Sequence, residues 1–180
     1  MTSKKHNISF FLYLSIVWFF ISGFRFVDTD SRNTISYFLF KIERSRNADE
    51  IYYDINLNSN GELNTRNPIN IYWIKKTAGG IKEGLTWIQK RFGYGLKYVN
   101  TSNSQINFHF VSHLKREFIL KKDKNGDFKV FTTSKNITVE VKKLFIQFDG
   151  GTFLSPKIFK VELYATIPDT GKEIIEIINP

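Results

Sequence analysis

Cysteine is absent from this chain, which removes structural disulfides, thiolate metal sites and a thiol-linked lipid at the N-terminus together. A domain made this way draws its stability from its core. Other absences narrow the function. There is no Gly-x-Ser-x-Gly elbow, no P-loop and no dinucleotide-binding glycine fingerprint, so no local signature of a familiar chemistry is present. A triad gathered from distant positions would leave no such signature, and a carboxylate pair such as Asp54 with Glu83 has nothing in the sequence to join it. No repeat or low-complexity run interrupts the 180 residues, a length that holds one ordinary domain.

What is present points to a folded, exported domain. Hydrophobic residues make up 42% and aromatic residues 16%, well above a disordered chain. Lys4 and Lys5 precede an uncharged run of 17 residues from Ile8 to Phe24. That pattern reads as a signal peptide or membrane anchor over residues 1–26, with a separate β domain over 34–180. The expected location is therefore the periplasm, free or tethered to the membrane. Outside the leader, 23 basic residues face 17 acidic ones. This excess favours a membrane surface, while the spread of the basic residues along the chain argues against nucleic acid.

Short β-like runs dominate the remainder. Residues 35–42 are aromatic and β-branched, and Ile51, Tyr53, Ile55 and Leu57 alternate with polar neighbours. A six-residue turn, SRNADE, separates these two runs. Ile69, Ile71 and Trp73 share a third strand face, as do Ile106, Phe108 and Phe110 further on. Asn125-Gly126 predicts a tight hairpin turn, since both central residues can accept positive φ. In residues 137–148 the apolar phase switches from Ile137, Val139 and Val141 to Leu144, Ile146 and Phe148. One extra residue near Lys142-Lys143, a β-bulge, keeps both sets on the core face and bends the strand. Phe159, Val161, Leu163, Ala165 and Ile167 form another face.

One segment breaks this rhythm. Ile81, Leu85, Ile88 and Phe92 fall at helical intervals, which predicts a helix over 81–92 capped by Gly93. It is expected to lie across one end of the sheet. The fold expected is a single antiparallel β-barrel-like (calycin-like) or strongly curled sheet of about nine or ten strands with one short helix.

Weighed as sites, most candidates are bland. His109 and His113, four residues apart on a strand, stand about 13 Å from each other and cannot share a metal ion. Asp123, Asn125 and Asp127 mimic the start of a calcium loop whose sixth and twelfth positions are wrong. The glycosylation sequons at Asn100 and Asn136 matter only in a eukaryotic secretory pathway. No cofactor or metal is expected. Around the helix, Trp73, Trp87, Gln89, Tyr94 and Tyr98 could either close the sheet or line a cavity for an apolar molecule.

Three stretches, FKIERSRNADEIYYDIN (40–56), NPINIYWIKKTAGG (67–80) and GLTWIQKRFGYGLKY (84–98), are similar to the domain-of-unknown-function 4833 family. The matching positions are Ser45, Asn47, Tyr53, Asp54, Pro68, Tyr72, Trp73, Leu85, Thr86, Gln89, Tyr94 and Gly95, within about residues 36 to 167. The resemblance implies a bacterial exported domain and no defined activity. Asn47, Tyr53, Trp73, Trp87, Gln89, Tyr94 and Tyr98 are the ligand-binding candidates. The leading expectation is a non-enzymatic module holding an apolar or lipid-like small molecule near a membrane surface. The alternatives are an envelope-directed hydrolase built around Asn47, Asp54 and Gln89, and a structural or partner-binding domain.

Overall fold

The structure is a computed structural model that describes residues 35–152 and 156–179; the expected leader lies outside them. Among these residues no helix is long and apolar enough to cross a membrane. Eleven strands form one sheet: β1 (Ile35–Arg44), β2 (Asn47–Leu57), β3 (Ile69–Lys75), β4 (Ile81–Gly84), β5 (Leu96–Thr101), β6 (Gln105–Phe110), β7 (His113–Lys122), β8 (Phe128–Ser134), β9 (Ile137–Gly151), β10 (Pro156–Thr166) and β11 (Glu173–Ile178). Helical structure between β4 and β5 is limited to α1 (Trp87–Gln89) and a π turn (Lys90–Tyr94).

β9 organises the sheet. One edge of it pairs with β10 along most of its length. The other edge is divided, with Ile137–Glu140 antiparallel to β8 and Lys143–Ile146 parallel to Lys41–Arg44 of β1. Two leaves therefore leave the same strand, β1-β2-β3-β4 and β8-β7-β6-β5. The bend between them is the predicted bulge. Tyr164 pairs with Lys143 and Ala165 with Val141, so Lys142 is the extra residue, and Val141 and Leu144 are both buried. Every other strand pair is antiparallel. The parallel contact with β1 departs from the expected antiparallel order because it joins strands a hundred residues apart, beyond what hairpin counting reaches.

The alternating apolar faces of β2 and β6 meet between the leaves. Tyr53 and Phe40 stack with ring centroids 4.4 Å apart, and Phe110 stands edge-on to Tyr53 at 5.7 Å and to Phe40 at 6.1 Å. On its own leaf Phe110 meets Phe118 at 5.1 Å. This aromatic block fills the concave side of the sheet. The sheet stays curled without closing, since its path ends at β4 on one side and β5 on the other.

Three local expectations are corrected, the first at Phe159, which is 59% exposed and off the expected β10 face because the pairing with β9 shifts register on either side of Ile158. Residues 81–84 form a strand in place of the first turn of a helix, because Gly79 and Gly80, at φ 77° and 83°, turn the chain back onto β3. Ile81 and Phe92 are exposed and only Leu85 of the expected stripe is buried. The SRNADE turn shrinks to Ser45-Arg46, as β2 already begins at Asn47. The expected hairpin forms at Asn125-Gly126 between β7 and β8, with positive φ at the glycine alone, and the Asp123 carboxylate accepts the Asn125 and Asp127 N–H groups at 2.8 and 3.0 Å. Both residues of the Lys135-Asn136 turn have positive φ, at 46° and 68°, and the twist suits the β8-β9 hairpin.

Candidate functional site

The site begins with the β1-β2 turn, which is pinned onto β9. The Ser45 N–H donates to the Ile146 carbonyl, and the Ser45 hydroxyl accepts from the Phe148 N–H, both at 3.0 Å. Arg46 reaches along the same strand, donating to the Gly150 carbonyl at 2.6 Å and to that of Gly151 at 3.1 Å while covering the Phe148 ring. Arg44, on the other side of the turn, lies over Trp73 at 4.3 Å. It donates to the Asn47 side-chain oxygen at 2.8 Å and to the Tyr94 hydroxyl at 3.3 Å. Its Nε is buried and has no hydrogen-bond partner among the described residues.

The second wall is α1 and the π turn. Thr86 caps the helix, its hydroxyl accepting from the Gln89 N–H at 3.3 Å while the Gln89 side-chain oxygen accepts the Thr86 N–H at 2.9 Å. This reciprocal box satisfies two helix-terminal donors. The same oxygen accepts Trp73 Nε1 at 3.3 Å, which ties the helix to β3. Tyr94 is held through its carbonyl by the Tyr53 hydroxyl at 2.8 Å, and its ring stands edge-on to Trp73 at 5.6 Å. Burial raises the Tyr53 pKa well above the ordinary phenol range, so it remains a donor.

Between these walls lies a groove of about 430 Å³ lined by Arg44, Arg46, Trp87, Phe92, Tyr94 and Phe148, among others. Trp87 and Phe92 are 68% and 65% exposed, so two large apolar rings sit in solvent at its rim. Among the described residues neither arginine forms an ion pair with a carboxylate. Buried Asp49 is near Arg44, but its carboxylate accepts the Thr77 N–H at 3.0 Å and hydroxyl at 2.8 Å. Those bonds, chiefly the one from the backbone, lower its pKa.

Of the sequence candidates, Trp87, Gln89 and Tyr94 line the groove directly. Asn47 and Trp73 position Arg44 behind it, and Tyr53 holds Tyr94 from below. Tyr98 belongs elsewhere, on β5 against Phe108 at 6.4 Å, where burial pushes its pKa up to about 12. Arg44, Arg46 and Phe148 were not among the candidates. The signal for the two arginines was available in the alternation of basic and polar residues in ERSRN (43–47). Asp54 accepts the Tyr72 hydroxyl at 2.8 Å on the sheet face opposite Trp73. Asn47, Asp54 and Gln89 therefore do not converge, which removes the arrangement that the hydrolase expectation required. No group of three or more metal-ligating side chains occurs among the described residues, and His109 binds the Arg116 carbonyl at 2.8 Å.

Residues 40–177 match the family model described as Domain of unknown function (DUF4833). The chain belongs to the DUF4833 family. Comparisons with curated proteins and with solved structures found no match. The match takes in every residue that lines the groove, and the DUF4833 positions quoted from the sequence acquire physical roles: Ser45 seats the turn on β9, Asn47 holds Arg44, and Thr86 with Gln89 closes the capping box.

On the opposite face of β2, Glu50 accepts from Lys76 at 2.7 Å, Lys41 at 2.9 Å and the Tyr52 hydroxyl at 2.9 Å. Burial works to raise its pKa, but these hydrogen bonds outweigh it and bring the group to about 2. The ordinary value is 4.5, so the unfolded chain takes up this proton first. The stabilisation is fully present above pH 4.5 and is lost as the pH falls through about 2. Glu50→Gln is expected to be less stable than the parent near neutrality and to lose less of its urea midpoint between pH 6 and pH 2.5. Equal losses in the two proteins would remove Glu50 from the acid response.

Proposed function

We propose that this DUF4833 chain is a non-enzymatic binding module that takes an anionic, partly apolar molecule in the groove at the β1-β2 turn. The observation that carries the reading is the state of the two arginines. Each guanidinium donates hydrogen bonds to neutral acceptors only, and the nearby Asp49 attracts Arg44 without pairing with it, so both can still engage a ligand carboxylate or phosphate. Trp87, Phe92 and Phe148 supply apolar surface beside that charge. The groove falls within the size range of small-molecule sites, roughly 300–1,000 Å³.

The setting proposed is the cell envelope, with the domain exported and facing the periplasm. Its support is the charged, then apolar, N-terminal sequence and the basic excess outside it, which favours anionic lipid headgroups. Titration of the full-length protein with phenyl phosphate by calorimetry tests the site. Arg44→Gln is expected to weaken binding by about tenfold or more, the scale of a lost charge-assisted hydrogen bond. Absence of binding, or binding indifferent to both Arg44→Gln and Arg46→Gln, would overturn the proposal.

A further inference from the structure

Behind the groove lies an apolar recess of about 140 Å³, lined by Ile42, Phe110, Leu144, Ile146, Val161 and Ile178 among others. Gly93 and Tyr94 border both spaces. The charged groups at the recess are already matched or neutral. Arg116 makes a bidentate pair with Glu176 at 2.9 and 2.7 Å, and His113 is held below the usual histidine range by burial and by Arg116 and Lys115. The recess therefore presents apolar surface and offers no second anion site.

Resting on the groove reading above, we infer that groove and recess form one site for an anion carrying a linear alkyl tail, with the tail end passing Tyr94 into the recess. The latch is the Arg44 bond to the Tyr94 hydroxyl. At 3.3 Å it is long for a hydrogen bond, and an anion that engages Arg44 competes for the same N–H. The Tyr94 main chain does not have to move, because the Tyr53 hydroxyl holds its carbonyl at 2.8 Å and the Ser112 hydroxyl holds that of Gly93 at 2.8 Å. Only the phenol has to swing. The volume behind it accommodates roughly four or five small groups at about 30 Å³ each.

The test is a calorimetric series on the full-length protein with linear alkyl phosphates and alkyl carboxylates, from the shortest member to twelve carbons, below their micellar concentrations. Affinity is expected to rise by about fourfold per methylene over the carbons that reach the recess and then to level off. Val161→Phe, which fills the recess, is expected to flatten that rise; circular dichroism and thermal unfolding establish that the variant is folded. If it fails to fold, Ile178→Phe in the last strand serves instead. The two head groups distinguish phosphate from carboxylate ligands. Affinity independent of chain length, with phosphate binding still dependent on Arg44, overturns this inference and leaves the groove reading standing. A rise that continues without levelling and ignores Val161→Phe places the tail along the open groove and also overturns it. No binding of either series overturns both readings.

Discussion

Replacing Phe110 with alanine is expected to lower the stability of the domain by about 4 kcal/mol, the scale of a buried phenylalanine truncation. The effect is large because one ring serves both leaves. Phe110 is 5% exposed and touches Phe40 and Tyr53 on the first leaf and Phe108 and Phe118 on the second. All four contacts are edge-on, a geometry aromatic pairs prefer, worth about 0.5–1.5 kcal/mol per pair beyond area burial. Truncation leaves a cavity where the leaves meet, and strands anchored by ladder hydrogen bonds on both sides can collapse into it only in part. For a domain of this size the midpoint of thermal unfolding should fall by about 8–16 °C. Phe159→Ala provides the contrast, since Phe159 is 59% exposed and its loss should stay within about 0.5 kcal/mol. Similar losses in the two variants would mean that Phe110 does not join the leaves.

The residues in that block were legible beforehand, because a strand with one buried face writes a period of two into the sequence. Ile51, Tyr53, Ile55 and Leu57 are all buried, and so are Ile106, Phe108 and Phe110. The bulge at Lys142 was legible for the same reason, as a slip in that period. The segment from Ile81 to Phe92 was not, since spacings of four, three and four also fit a strand, a turn and a short helix in succession. Thr86-x-x-Gln89 marked the true helix start, and its signal is weaker than that of four large apolar residues. The parallel contact between β1 and β9 has no local signature at all.

The candidate site was legible in part, and the part that was missed changes its chemistry. Asn47 and Trp73 were singled out as groups that would touch a ligand, and they prove to be the supports of Arg44, while Gln89 both lines the groove and ties the helix to β3. Basic residues scattered along a sequence look like general surface charge, and nothing local marks two of them as neighbours of an apolar groove. Only the folded sheet brings Arg46 over Phe148 and Arg44 beside Tyr94, juxtapositions of residues about 100 and 50 positions apart. The ligand expected from the sequence is apolar or lipid-like; the one proposed for the groove carries an anionic group beside its apolar part.

The same walls depend on one glycine, and Gly95→Ala is the second large effect expected. A Cβ at Gly95 would lie 1.9 Å from the Lys90 carbonyl oxygen and 2.8 Å from its carbon, and both are backbone atoms that no side-chain rotation can move. The π turn spans Lys90–Tyr94, so accommodating the methyl means opening the turn itself. Opening it disturbs the bond from the Val111 N–H to the Gly95 carbonyl at 3.0 Å, and the Tyr53 bond to Tyr94 next to it. Overpacking against backbone together with a strained hydrogen bond amounts to about 3 kcal/mol, or about 6–12 °C in the thermal midpoint. Gly93 makes the comparison sharp. It sits in the same turn, yet a Cβ there meets nothing within 4 Å, and Gly93→Ala should leave stability within about 0.5 kcal/mol of the parent. Because Tyr94 moves with the turn, Gly95→Ala should also weaken phenyl phosphate binding in whatever fraction remains folded. A Gly95→Ala protein that melts with the parent would show that the turn yields freely, and the Tyr94 main chain would then lose its standing as the fixed support on which the phenol turns.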